Sequence, residues 1–126
     1  MAEKPIYTID GANFGDFAEF IEECNRVFIR AFGGEWSGNL DAFNDYFNWG
    51  DGDYILVWKN SEKSRVDLGY PAMADWLERN SQRCHPSNVQ SVLQRLSMAR
   101  HQRGPTLFDW LLEIIREQPN VELRLE

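Results

Sequence analysis

The sequence is poor in cysteine, with only Cys24 and Cys84 in 126 residues. Two widely separated cysteines do not form the disulfide framework that stabilises many small secreted domains. The dipeptide Cys84-His85 has no second pair at metal-ligand spacing, so a zinc site is a weak interpretation. We expect free thiols, with Cys24 as a small core residue, and neither a metal nor another cofactor.

Long apolar runs are also missing. No stretch reaches the roughly 20 apolar residues of a membrane-spanning helix. The N-terminal residues, MAEKPIYTIDG, contain no apolar signal core. The sequence therefore predicts a cytoplasmic protein without a membrane partner.

Positive charge is scarce. The chain has 13 lysines and arginines against 20 aspartates and glutamates, a formal net charge of −7. Nucleic-acid binding depends on cations that face phosphates, so this balance argues against nucleic acid as a direct ligand. It suits a basic protein partner.

Catalytic motifs are absent as well. The sequence contains no phosphate-binding loop, no Gly-x-Ser-x-Gly and no paired metal motif. Asp41 and Asp45 are near enough in sequence to form an acid–base pair, but the pattern places them on an open helix with no sign of a closed pocket. We predict that the protein is not an enzyme.

Apolar residues, in contrast, are plentiful. Hydrophobic residues make up 43% of the chain and aromatic residues 13%, which argues against disorder. A chain of 126 residues is long enough for one domain with a substantial core.

The central stretch, Glu35 to Trp58, combines acidic and aromatic residues without any lysine or arginine. Asn39 is a good helix N-cap. Three apolar residues then follow on one helix face: Leu40, Phe43 and Phe47. Asp41 and Asp45 lie one turn apart on another face, where like charges cost roughly a few tenths of a kcal/mol. Such a face is either simply solvated or complementary to a cationic partner.

The remaining pattern alternates strands and helices. Strands are predicted at 5–9, 54–58 and 121–125, the second buried on both faces and the third at a sheet edge. Helix starts are predicted at four positions: Asp16, Pro71, Ser87 and Thr106. Because helical crossovers join parallel strands, this order favours an α/β fold, a small parallel sheet covered by helices.

The run WSGNLDAFNDYF resembles the acidic helix of the barstar family, bacterial intracellular inhibitors of ribonucleases. The matching residues are Asn39, Leu40, Asp41, Ala42 and Asp45. Tyr54–Arg65 resembles the second strand and following helix of the family, and Ile115-Arg116-Glu117 resembles its last helix. The resemblance implies a three-stranded parallel sheet in a single domain, residues 1–126, with a helical insert at about 66–104.

The family resemblance also implies a mechanism. An inhibitor or immunity protein of this type, monomeric when free, would plug the basic active site of a cognate ribonuclease. Asp41, Asp45 and Glu117 would replace RNA phosphates opposite cationic side chains. Four further residues would line the contact: Glu35, Trp36, Asn39 and Asn44. Glu35 and Asn44 stand where the founding inhibitor has aromatic residues, so a distinct nuclease is expected. The alternative is a barstar-like interaction module without inhibitory activity.

The insert permits two interpretations, a structural cover or a second recognition surface. Its apolar residues recur at helical spacing: Met73, Trp76, Leu77, Val89, Val92, Leu93 and Leu96. Such stripes usually face a core, which favours the structural cover.

Overall fold

The structure, a computed structural model, describes residues 4–50, 52–81 and 85–126. Its elements in order are β1 (Ile6–Asp10), α1 (Phe17–Cys24), α2 (Leu40–Tyr46), β2 (Tyr54–Lys59), α3 (Ser61–Asp67), α4 (Tyr70–Ser81), α5 (Val89–Arg100), α6 (Leu107–Arg116) and β3 (Val121–Leu125). Short 3-10 turns occupy Gly11–Asn13 and Pro86–Asn88.

The three strands form one parallel sheet in the order β1-β2-β3. The central strand, β2, is buried from Tyr54 to Trp58, as its continuous apolar run predicts. Strand β3 alternates between half-buried and exposed residues, as predicted for an edge. The α/β fold with a three-stranded parallel sheet is therefore confirmed.

Helix α1 begins where the sequence predicts, because Asp16 accepts a hydrogen bond from the Glu19 N–H. The side chain of Glu19 returns to the Gly15 N–H rather than to Asp16. The helix then continues as a π-helical turn at Asn25–Ile29, which the sequence pattern did not predict. Cys24 is buried, and burial raises the pKa of its thiol. Cys84 lies outside the described residues.

Helix α6 lies at the centre of the helical layer and contacts α2, α3, α4 and β3. Thr106 and Asp109 form the capping box that the sequence predicts, with both reciprocal hydrogen bonds at 3.1 Å. Six of its side chains are buried: Leu107, Phe108, Leu111, Leu112, Ile114 and Ile115.

The segment predicted as an insert, which we continue to call the insert, forms α4 and α5, and α5 packs chiefly on α4. The predicted inward stripe is only partly correct. Met73, Leu77 and Leu96 are buried, but Leu93 is 46% exposed. The other three are only half-buried: Trp76, Val89 and Val92. Because α5 packs chiefly on α4, it buries only one narrow face.

The predicted capping box of Ser87 and Gln90 does not form. Instead, the His85 Nδ1 accepts a hydrogen bond from the Ser87 N–H at 3.2 Å and caps the 3-10 turn. Asn88, at the start of α5, makes no side-chain cap bond. The helix start shifts because the imidazole precedes Ser87 and provides the acceptor.

Candidate functional site

Helix α2 is fixed at its start by two neighbouring residues. The Asn39 Oδ1 accepts hydrogen bonds from the backbone N–H groups of Asp41 (2.8 Å) and Ala42 (3.3 Å), so the predicted N-cap is present. Gly38 has φ +107°, and a Cβ there would lie 2.8 Å from the Ile21 Cδ1. The chain therefore needs glycine at this position to enter the helix.

An aromatic base supports α2 from below. The Trp36 ring stacks on Phe43 with centroids 4.1 Å apart, and the Trp36 Nε1–H donates to the Asn39 carbonyl at 2.8 Å. Asn25 exchanges two hydrogen bonds with the Trp36 backbone, both 2.8 Å. The three apolar residues predicted on the inner face of α2 are buried: Leu40, Phe43 and Phe47.

Trp36, which the sequence places among the contact residues, is buried in the free protein. Its side chain is only 2% exposed, so in the free protein its ring does not line the surface of α2. The ring is held in the core by the Phe43 stack and by its hydrogen bond to Asn39. In the free protein Trp36 therefore supports the N-cap of α2, and its contact with a partner stays a prediction.

The two aspartates of α2 face solvent. Asp41 and Asp45 are both exposed, and neither carboxylate has a hydrogen bond or an ion pair with any residue that the structure describes. They lie one helical turn apart above the buried face. The two carboxylates thus present negative charge, unpaired within the described residues, on a helix whose inner face is buried.

Helix α6 is tied to α2 by one hydrogen bond between side chains. The buried Gln118 donates through Nε2 to the Asn44 Oδ1 and also to the Ile114 carbonyl, the latter at 3.0 Å. The preceding residue, Glu117, is exposed at the C-cap of α6. Asn44 is exposed too, but its side-chain amide oxygen already accepts this hydrogen bond from Gln118.

Glu35 is likewise engaged. Its carboxylate accepts hydrogen bonds from the Arg30 Nε (2.8 Å) and Nη2 (2.9 Å), and these bonds lower the pKa of Glu35. The same guanidinium pairs with Glu22 at 2.8 Å. The negative charge of Glu35 is thus shared in an exposed network, in contrast to Asp41 and Asp45.

An exposed aromatic residue at the far end of α2 was not among the predicted contact residues. Trp49 is 52% exposed and makes an edge contact with Tyr46, with centroids 4.8 Å apart. The Tyr46 hydroxyl donates to the Glu35 carbonyl at 2.7 Å. A Cβ at Gly34 would lie 2.8 Å from the Tyr46 ring, so glycine makes room for this pair. The aromatic pattern shows that Trp49 belongs to this stretch, but not that it points outward.

The resemblance to the barstar family extends beyond the acidic helix. Residues 5–94 match the family described as Barstar (barnase inhibitor). The chain belongs to the barstar family. No curated protein and no solved structure shows significant similarity to it.

The barstar match extends from β1 into α5, and so it includes α2 together with α4, the first helix of the insert. Helix α6, Glu117 and β3 lie beyond the matched residues. The family is described by its inhibition of barnase, a ribonuclease.

Other kinds of site find no support in the described part of the chain. Residues 4–50, 52–81 and 85–126 contain no cluster of three or more His, Cys, Asp or Glu side chains placed to hold a metal ion. Within the same residues, no helix has the length and apolar character needed to cross a bilayer.

Proposed function

We propose that this protein inhibits a ribonuclease by inserting the acidic face of α2 into the basic active site of the enzyme. Membership of the barstar family supports a ribonuclease as the partner. The net charge of −7 supports a basic one. The observation that carries the proposal is the pair of exposed, unpaired carboxylates on α2, Asp41 and Asp45.

The proposed chemistry is charge substitution. A ribonuclease holds RNA phosphates with cationic side chains, and a carboxylate presents a similar anionic oxygen to the same groups. Asp41 and Asp45 bring their charge without breaking any ion pair within the described residues. The aromatic base keeps the helix in place, which reduces the ordering cost of association.

The other predicted contact residues have different tasks in this proposal. Glu117 adds a third carboxylate from α6, next to the Gln118–Asn44 link. Glu35 brings Arg30 with it, so this part of the surface is less negative than the sequence suggests. Asn39 caps α2, and Trp49 offers an exposed indole, a group often enriched at the centre of interfaces.

An immunity role is the biological form of this proposal. An inhibitor that protects the cell producing a ribonuclease has to meet the enzyme before RNA is degraded. The cytoplasmic location and the monomeric free state expected from the sequence belong to the same proposal. The non-inhibitory module is the alternative, since Glu35 and Asn44 are already engaged within the chain.

A titration of nuclease activity tests the proposal. The purified protein is added to a small basic ribonuclease, ideally the product of a neighbouring gene, and RNA cleavage is followed. Inhibition that is complete near one equivalent is expected. A stable complex that retains full cleavage activity would instead support the non-inhibitory module, and absence of both binding and inhibition would overturn the ribonuclease assignment for that enzyme.

A further inference from the structure

A cleft of about 440 Å³ separates the start of α2 from the insert. Asn39 and Asp41 form the α2 side, while Ser91 and Arg95 of α5 line the opposite side. The volume falls within the roughly 300–1,000 Å³ range of ligand-binding pockets. The cleft therefore begins at the residues proposed to meet the nuclease and continues into the insert.

Two tryptophans organise this cleft. Trp76 of α4 and Trp110 of α6 meet edge to face with ring centroids 5.1 Å apart, and both line the cavity. The Trp76 Nε1–H donates to the Gly38 carbonyl at 3.4 Å, which connects α4 to the segment that leads into α2. The Arg95 guanidinium lies 5.5 Å from the centroid of the Trp110 ring. These contacts position the insert relative to the acidic helix.

Several polar groups in the cleft lack partners. Asn80, Asn88 and Ser91 make no side-chain hydrogen bond to any residue within the described ranges. Arg95 has its cation–π contact with Trp110 but no ion pair with any other residue that the structure describes. Amide and hydroxyl groups both donate and accept, so they are suited to a polypeptide backbone. A guanidinium without a carboxylate partner is suited to an acidic side chain.

We propose that this cleft receives a loop of the same nuclease, with an acidic side chain or carbonyl oxygens opposite Arg95. This inference rests on the proposed function and extends it to the insert. Continuity supports one partner, because Asn39 and Asp41 belong both to the cleft and to α2. RNA fits poorly, since its consecutive phosphates would face Asp41 as well as Arg95, whereas a single carboxylate can face Arg95 alone.

The insert thereby gains a role in choosing the partner. Asp41 and Asp45 match any enzyme with a cationic active site, and so they discriminate weakly among ribonucleases. Arg95 repels a basic surface unless a carboxylate or carbonyl group faces it. A nuclease that combines a basic active site with such a loop at its rim would satisfy both parts of the surface.

A pair of matched substitutions tests the cleft. Ser91→Trp places a bulky ring in the cavity from an exposed position of α5, whereas Ser97→Trp makes the same change on the same helix outside the cavity. We expect Ser91→Trp to weaken binding of the inhibited nuclease by roughly tenfold or more and Ser97→Trp to leave the Kd nearly unchanged. Thermal melts verify that both variants are folded.

A charge series on Arg95 provides an independent readout. Arg95→Gln should weaken binding and Arg95→Glu should weaken it further, mainly through faster dissociation. Arg100→Glu reverses one exposed charge in the last turn of the same helix, at a residue that does not line the cleft, and controls for long-range electrostatics. If Ser91→Trp does not fold, the Arg95 series alone tests whether the cleft contributes to nuclease binding.

Asp45→Ala, measured in the same assay, separates this inference from the proposed function. If Asp45→Ala weakens binding while Ser91→Trp and Arg95→Glu match their controls, the cleft proposal is overturned and the inhibitory helix stands. If Asp45→Ala binds as tightly as the parent, the proposed role of α2 is overturned. If all three variants weaken binding beyond their controls, both are supported.

Discussion

Glu23 is a buried carboxylate that joins α1 to the end of β1. It is 4% exposed and accepts hydrogen bonds from the Asp10 N–H (2.9 Å), the Asn13 Nδ2 (3.0 Å) and the Arg26 Nη2 (2.6 Å). Glu23→Gln should lower the free energy of unfolding at pH 7 by about 1–3 kcal/mol, because hydrogen bonds to a charged acceptor are lost. Chemical denaturation measures the difference. Glu22→Gln, on the exposed neighbour, should stay within about 0.5 kcal/mol of the parent.

The Glu23 prediction has a defined pH dependence. Burial raises the pKa of Glu23, but the hydrogen bonds outweigh this effect and leave the pKa below its ordinary value of 4.5. A lowered pKa means that the ionised side chain stabilises the fold above pH 4.5 and that this contribution is lost as the pH falls through the folded-state pKa. The stability gap between parent and Glu23→Gln should therefore shrink in acid. A gap that stays constant down to the folded-state pKa would contradict the assignment.

Two tryptophans should differ in their contribution to stability. Trp36 is 2% exposed and stacked on Phe43, so Trp36→Ala should cost about 3–5 kcal/mol. Trp76 is half-buried beside a cleft, so Trp76→Ala should cost only about 1–3 kcal/mol. Thermal and denaturant unfolding of the two variants shows whether Trp36→Ala loses more stability than Trp76→Ala. Equal losses would show that Trp76 is a core residue, as its helical spacing suggests.

At the level of single residues, the sequence predicts local contacts better than distant ones. The cap of α2 by Asn39 spans only two or three residues and was predicted correctly. The bond from Gln118 to Asn44 spans 74 positions, and it depends on how α6 packs against α2. The Arg30–Glu35 pair spans five positions but requires the turn between α1 and α2. For this reason the sequence showed the acids of the candidate site but not which of them were already paired.

The helix starts provide a test at the level of elements. Thr106 caps α6 in a reciprocal capping box, whereas Ser87 precedes α5 and caps nothing beyond a bond to His85. Thr106→Ala should lower the free energy of unfolding by about 1 kcal/mol. Ser87→Ala should change it by less than about 0.5 kcal/mol. Differential scanning calorimetry of both variants checks this contrast, and a larger loss for Ser87→Ala would mean that the sequence-predicted cap is real.

Most elements could be predicted because their patterns are unambiguous. The run Tyr54–Trp58 is apolar throughout and short, which favours a strand buried on both faces. The π-helical turn at Asn25–Ile29 was missed because Phe28 and Ile29 are buried in it, as apolar residues of a continuing α-helix would be. The burial of Leu93 was predicted wrongly, since periodicity identifies a face of α5 but not how much of that face α4 covers.

For the whole molecule, the net charge of −7 should govern how the protein meets its partner. Association with a basic nuclease should slow steeply as ionic strength rises, because salt screens the attraction between the separated proteins. Dissociation should change less, since pairs inside the complex are shielded from salt. Stopped-flow association at several salt concentrations measures this. An association rate that does not depend on salt would contradict electrostatic docking.

The role of α2 as the inhibitory surface is tested most directly by the affinity of Asp45→Ala for the inhibited nuclease, compared with that of Asp75→Ala. Both changes remove one exposed aspartate from a helix, but Asp75 lies on α4 in a surface ion pair with Arg79. Asp45→Ala should lose about 2–5 kcal/mol of binding free energy, because the cations opposite it would remain buried and unpaired. Asp75→Ala should bind within about twofold of the parent, given that exposed pairs contribute little. Equal affinities of Asp45→Ala and the parent, measured by calorimetry, would contradict the role of α2 as the inhibitory surface.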